Sequence, residues 1–244
     1  MMPFPSMMLQ PSADESQPDY AIKYVGGKTY GWSGLSTQAF DTSGLSGGDT
    51  GVTASVLVGD IVMVCLGRAG RAGGAPAFTS NPGFTLVADR ANPSFYSCYT
   101  RVYLMLATAD GDISGTFAGS GHSGDTTAAH IRVFRGATAT LDAGPTYANT
   151  NDAINPPAIT PATAGAMIVS VATLEHAHGI QNFTAYGGME NGLSKGQDNV
   201  ADCTLGSALY REWTSGSYDP AAWAVFSANP DNLGTNISLA LTAA

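Results

Sequence analysis

Charge is scarce in this chain. Of 244 residues, 10 are Lys or Arg and 19 are Asp or Glu, 12% in all, about half of what a globular domain usually carries. Ten basic residues and a net charge of −9 exclude nucleic acid as a principal partner, because phosphate binding needs a surplus of Lys and Arg. Arg68 and Arg71, in a Gly-rich stretch, form the nearest thing to a basic cluster. Long apolar runs are also missing. None reaches the roughly 18 residues that a membrane-spanning helix requires, so no membrane insertion is expected. Pro3, Pro5 and Pro11 break up the apolar N-terminal residues and no basic region precedes them, so an ordinary secretory leader is not expected either. The three cysteines, Cys65, Cys98 and Cys203, cannot all pair within the chain. Cys65 stands in an apolar run, and the set points to folding in a reducing cytosol. No apolar stripe at helical spacing persists with caps, so helix is limited to a turn or two.

What the chain has is glycine and short apolar runs. Thirty Gly and 13 Pro punctuate segments of period 2, as turns between strands require. Strands are expected over 20–25 and 28–32, joined by a turn at Gly26-Gly27, then over 52–58, 60–66, 84–88, 96–107, 113–118 and 128–135. A second set is expected over 158–161, 166–174, 183–186, 206–213, 221–228 and 236–242. Residues 41–51 read as a loop and 136–157 as a long connection. The two sets echo each other. Gly59-Asp60-Ile61-Val62-Met63-Val64-Cys65-Leu66 parallels Gly165-Ala166-Met167-Ile168-Val169-Ser170-Val171-Ala172, and Phe84-Thr85 parallels Phe183-Thr184. Ala128 to Phe134 likewise parallels Ala221 to Phe226. The offsets, roughly 93 to 106 residues, describe two diverged copies of a β-rich unit and not a solenoid of short period. The fold class is therefore all-β: a two-sheet antiparallel sandwich, jelly-roll-like, forming a single domain over 20–244 with pseudo-repeats at about 52–137 and 158–244.

Residues 1–19 lack either period and are rich in Met and Pro, so they read as an extended arm. Met1, Met2, Phe4, Met7, Met8 and Leu9 are its candidate partner-binding residues, since methionine adapts to irregular grooves.

Motifs that carry chemistry are weak. Gly27-Lys28-Thr29 ends like a phosphate-binding loop, but Ile22 stands where the motif needs Gly. His176 and His178 are the candidate metal ligands, because i, i+2 spacing on a strand places both on one face. Glu175 falls on the opposite face and no third ligand follows at a short spacing. No metal or other cofactor is expected, and a cupin-like metal enzyme is the remotest alternative. Ser120, His122 and Asp125 crowd one Gly/Ser loop, whereas triad members come from separate elements. Asp110, Asp112, Glu190 and Glu212 are the carboxylates from which a glycosidase pair would be drawn, with no spacing that pairs them. No catalytic residues are assigned. Trp32, Trp213 and Trp223, with Tyr96, Tyr99, Tyr103, Tyr210 and Tyr218, suit either the core or a sugar-stacking surface, with core or interface burial favoured.

The run Asn155-Pro156-Pro157-Ala158-Ile159-Thr160-Pro161-Ala162-Thr163-Ala164-Gly165-Ala166 stands ahead of Trp213-Thr214-Ser215-Gly216-Ser217-Tyr218-Asp219-Pro220-Ala221-Ala222-Trp223. With Val133-Phe134-Arg135-Gly136-Ala137, these phrases resemble a family of β-sandwich virion proteins from tailed bacteriophages, prophages and gene-transfer-agent-like particles. The resemblance covers residues 20–244 and rests on turn and strand phrases without a catalytic signature. It implies a non-enzymatic surface component, such as a head fibre, decoration protein or spike, assembled in the host cytoplasm and displayed on the virion. Its partners would be capsid, neck or tail proteins and further copies of itself, with residues 1–19 as the anchor. The alternative is a tail- or head-fibre module whose loops, such as 89–96 or 187–203, bind cell-surface polysaccharide.

Overall fold

The computed structural model describes residues 20–70, 74–80, 83–92, 97–119, 121–150, 154–176, 182–197, 202–211, 213–225 and 233–244. The arm, with Met1, Met2, Phe4, Met7, Met8 and Leu9, lies outside them. The described elements are all strands. The first half of the chain contributes β1 (Lys23–Ser33), β2 (Gln38–Asp41), β3 (Ile61–Gly70), β4 (Phe78–Ser80), β5 (Thr85–Asn92), β6 (Ser97–Leu106), β7 (Ser114–Phe117) and β8 (Thr126–Arg135). The second half contributes β9 (Ala137–Thr150), β10 (Met167–His176), β11 (Phe183–Ala185), β12 (Glu190–Gln197), β13 (Asp202–Tyr210), β14 (Ala224–Val225) and β15 (Leu233–Ala243).

Each half builds one antiparallel five-stranded sheet, ordered β1-β8-β3-β6-β5 and β9-β15-β10-β13-β12. The order is the same when β1, β3, β5, β6 and β8 are matched with β9, β10, β12, β13 and β15. The two sheets pack face to face over Met63, Cys65, Val102 and Phe134 from one side and Val169, Val171, Leu205 and Leu239 from the other. The outer face of the first sheet is covered by a three-stranded sheet, β2-β7-β4. There Phe117 stacks on Trp32 and Phe40, with centroids 5.2 and 4.4 Å apart. The outer face of the second sheet is covered by the β11-β14 ribbon and the segments carrying Ile154, Ile159, Trp213 and Trp223.

This double covering explains why some short strands read as continuous apolar stretches. Every position of β3 is buried, so alternation is lost and a strand buried on both faces reads as a continuous hydrophobic stretch. The same condition holds along β8, where only Arg135 is less than fully buried.

Several elements differ from expectation. Lys23–Ser33 is one strand and not a hairpin: the irregularity between Tyr24 and Gly26 is a bulge in the β1–β8 pairing, with Gly26 at φ 143°. Residues 52–58 form turns and bends, and their Val56 side chain fills the outer core. The expected long connection at 136–157 contains β9, which pairs with the chain's last strand from Ala137↔Ala243 to Thr150↔Gly234. The loop expected over 187–203 contains β12, paired with β13. The strand expected over 158–161 is a single bridge, Ile159↔Tyr218.

Candidate functional site

The scarce cations are the natural place to look for function, because a charge inside such an apolar body needs a partner. Arg211 follows β13 directly. It donates from Nε and Nη2 to both carboxylate oxygens of Glu190 at 2.6 and 2.8 Å, and from Nη1 to both of Asp49 at 2.6 and 2.7 Å. Its side chain and that of Asp49 are almost fully buried. Asp49 belongs to the first half and Glu190 to the second, so the guanidinium clamps one half to the other. Burial works against the Arg211 charge, yet the two carboxylates outweigh it and raise its pKa further. The Tyr20 ring lies over the guanidinium at 4.4 Å. Beside it opens a cavity of about 260 Å³ bordered by Tyr20, Ile22, Met167 and Trp213.

Arg68 of β3 is buried against Asp125 at 2.5 Å. It also donates to the carbonyl of Gly74 and lies 5.3 Å from the Tyr99 ring. Arg135 donates to both oxygens of Asp60 at 3.0 and 2.9 Å and to the Ser55 carbonyl at 3.0 Å. Arg101 binds Asp89 at 2.8 Å and the Pro76 carbonyl at 3.1 Å. Each of these residues joins a sheet strand to a loop or a neighbouring strand.

Arg132 is different. It points from β8 into the sheet interface, fully buried, and contacts neutral groups: Ser207 Oγ at 2.9 Å, the Ser207 carbonyl at 2.5 Å, the Asn191 carbonyl at 2.8 Å and the face of Tyr24 at 5.4 Å. His130, two residues earlier on the same face, shares Ser207 Oγ through Nδ1 at 2.8 Å. Burial, reinforced by the Arg132 charge, holds the His130 imidazole well below its usual pKa, so it is neutral. Nearby, the hydroxyls of Thr173 and Thr235 lie 2.6 and 2.5 Å from that of Thr100, so the interface carries a seam of polar groups as well as apolar ones.

The residues singled out from the sequence fall in separate places. Lys28 lies in mid-strand and binds Asp41 at 2.7 Å and the Ser43 carbonyl at 2.9 Å, with no helix N-terminus beside it for phosphate. His176 ends β10 opposite Asp202, and His178 lies outside the described residues. Among the described residues no group of three or more His, Cys, Asp or Glu is placed to hold a metal. His122 Nδ1 is 3.4 Å from Asp125 but accepts the Gly124 N–H at 3.2 Å; Ser120 is outside the described residues. Glu190 is held by Arg211, Asp110 accepts the Val58 N–H at 2.6 Å, and Asp112 takes the Thr42 hydroxyl at 3.4 Å. Trp32, Trp213, Trp223 and Tyr103 are buried, which removes them as sugar platforms. Tyr210 and Tyr218 stack on each other at 4.0 Å beside the outer core of the second sheet.

Sequence reasoning missed Arg132, His130, Ser207 and the Arg211 clamp. One signal was present: His130 and Arg132 share parity with Ala128 and Phe134, so a core-facing strand carries two basic residues side by side. No family model matches the chain, and no curated protein or solved structure is significantly similar to it.

Proposed function

We propose that this chain is a non-enzymatic structural protein of a tailed phage or phage-like particle, a head fibre, decoration protein or spike tethered through residues 1–19. The observation that carries the reading is the use of the cations. Arg68, Arg135 and Arg211 each bind a carboxylate from a different element, which suits a body that must stay rigid at a particle surface. The sequence phrases over 155–166 and 213–223 add the resemblance to virion proteins. The sheet edges β5, β9 and β12 offer backbone groups to neighbouring copies. Folding would take place in the host cytoplasm, and the partners would be capsid, neck or tail proteins.

Co-sedimentation with particles stripped of the protein tests this. Full-length protein should rebind, and a variant lacking residues 1–19 should stay folded and remain in the supernatant. If neither form sediments with particles and both bind host cells or their polysaccharide, the protein is an adhesin instead.

A further inference from the structure

The chain enters the sandwich at the rim of the cavity beside Arg211. Tyr20, the first described residue, and Ile22 border it on one side, and Ala164, Met167, Arg211 and Trp213 complete the wall. The guanidinium of Arg211 is engaged by its two carboxylates, and Trp213 Nε1 donates to the Gly216 carbonyl at 3.0 Å. With those polar groups taken, Ile22, Met167 and the Trp213 ring supply an apolar lining. The wall is open at Gly165, where a methyl group would meet no atom within 4 Å. At about 260 Å³ the space is small for a ligand pocket, which usually holds about 300–1,000 Å³, and is scaled instead to a pair of apolar side chains.

The chain carries an occupant of that kind. Met7-Met8-Leu9 is the longest apolar run within residues 1–19, and the ten residues 10–19 link it to Tyr20 at the rim. Ten residues reach at most about 33–36 Å when extended, so the run can turn back over the cavity with slack. Because it is tethered there, docking is an intramolecular event with a high effective concentration. Methionine fills irregular apolar gaps, and its sulfur makes favourable contacts with aromatic rings; Trp213 is the ring that lines this space.

We propose that the cavity between Tyr20 and Trp213 is the docking site for the Met7-Met8-Leu9 segment of the same chain. Docking fixes the root of the arm on the body and leaves Met1, Met2 and Phe4 for a particle partner. That last division rests on the anchoring role proposed above, whereas the docking itself needs only this chain.

Oxidation of the full chain by dilute peroxide, mapped residue by residue with mass spectrometry, tests the docking. Met7 and Met8 should oxidise several-fold more slowly than Met1 and Met2, at rates that do not change on dilution. Ala164→Trp, which fills the cavity from an exposed position of its wall, should bring Met7 and Met8 to the rate of Met1 and Met2. Leu9→Asp, which lies outside the sheets and puts a charge into the docking run, should do the same and decides the matter if Ala164→Trp does not fold. Equal rates for all four methionines, or slow rates that Leu9→Asp leaves unchanged, overturn the proposal. Slow rates that rise on dilution assign the cavity to the arm of a second copy and overturn it as well. Rebinding to stripped particles is a separate readout, so the anchoring role and the docking fail independently.

Discussion

At the scale of single residues, several of the chain's few charges lie where losing one partner is expensive. Arg211→Ala would leave Asp49 buried and unpaired, and breaking a buried pair costs about 3–5 kcal/mol. Urea unfolding should show a loss of that size, with little change in the denaturant slope. A second expectation concerns His130. Its folded pKa is depressed while the unfolded chain binds a proton near 6.5, so the unfolded state holds more protons as pH falls. Stability should be complete above about 6.5 and decline below it by about 1.4 kcal/mol per pH unit. Urea midpoints measured from pH 7.5 down to 5 should show the decline, and His130→Gln should flatten it; an equal decline in both proteins would count against this origin.

The thiols work at the other end of the scale. Burial pushes Cys65 and Cys98 to about 12 and Cys203 well above its usual value of 9. Above pH 9 the unfolded chain loses thiol protons that the folded protein retains, so stability falls between about pH 9 and 12. Ellman's reagent at pH 8 should find no reactive thiol in the native protein and all three after unfolding. A native thiol that reacts promptly at pH 8 would contradict this burial.

At the scale of elements, the sheets approach each other more closely than their side chains suggest, because glycine stands at selected inward positions. A methyl at Gly67 of β3 would meet Thr173 Oγ1 at 2.6 Å and Leu205 Cδ1 at 3.0 Å across the interface. Gly67→Ala should therefore destabilise by about 1–3 kcal/mol through overpacking, read as a drop in Tm without loss of the β-type circular dichroism spectrum. Elements buried on both faces were the legible ones. β3, β8, β10 and β15 stand out in the sequence because they are central strands buried on both faces. β9 and β12 did not, since the Ala and Thr residues along Ala137–Thr150 and the Gly, Ser and Lys along Glu190–Gln197 belong to half-exposed edges. An edge strand is defined by the neighbour it pairs with, and for β9 that neighbour, β15, is remote in sequence. The hairpin expected at Gly26-Gly27 failed for a related reason: two glycines signal a turn or a bulge equally well, and the pairing with β8, a hundred residues on, selected the bulge.

For the whole molecule, the decisive fact is that each half of the chain forms one sheet. Neither half covers its own inner face: Met63, Val102 and Phe134 are buried by the second sheet, and Val169, Leu205 and Leu239 by the first. Fragments 1–136 and 137–244 should each be poorly packed alone, binding a hydrophobic dye, and should recover the native near-ultraviolet spectrum when refolded together. A fragment that folds cooperatively by itself would show the sheets to be autonomous. The Arg211 clamp between Asp49 and Glu190 and the Arg132–Ser207 contact belong to this scale too, because each needs both halves in place.

The sequence by itself determined that the chain is all-β and that its strands come in two echoing sets. These follow from local periodicity and turn chemistry, which report how each residue is buried. Tertiary structure alone decided which strands sit at the edges, that a bulge replaces a hairpin in β1, and that Arg132, His130, Tyr24 and Ser207 meet between the sheets. Those outcomes depend on contacts between residues tens to hundreds of positions apart, and pairing and register at such distance are set by the packing of whole sheets, not by the neighbours of any one residue.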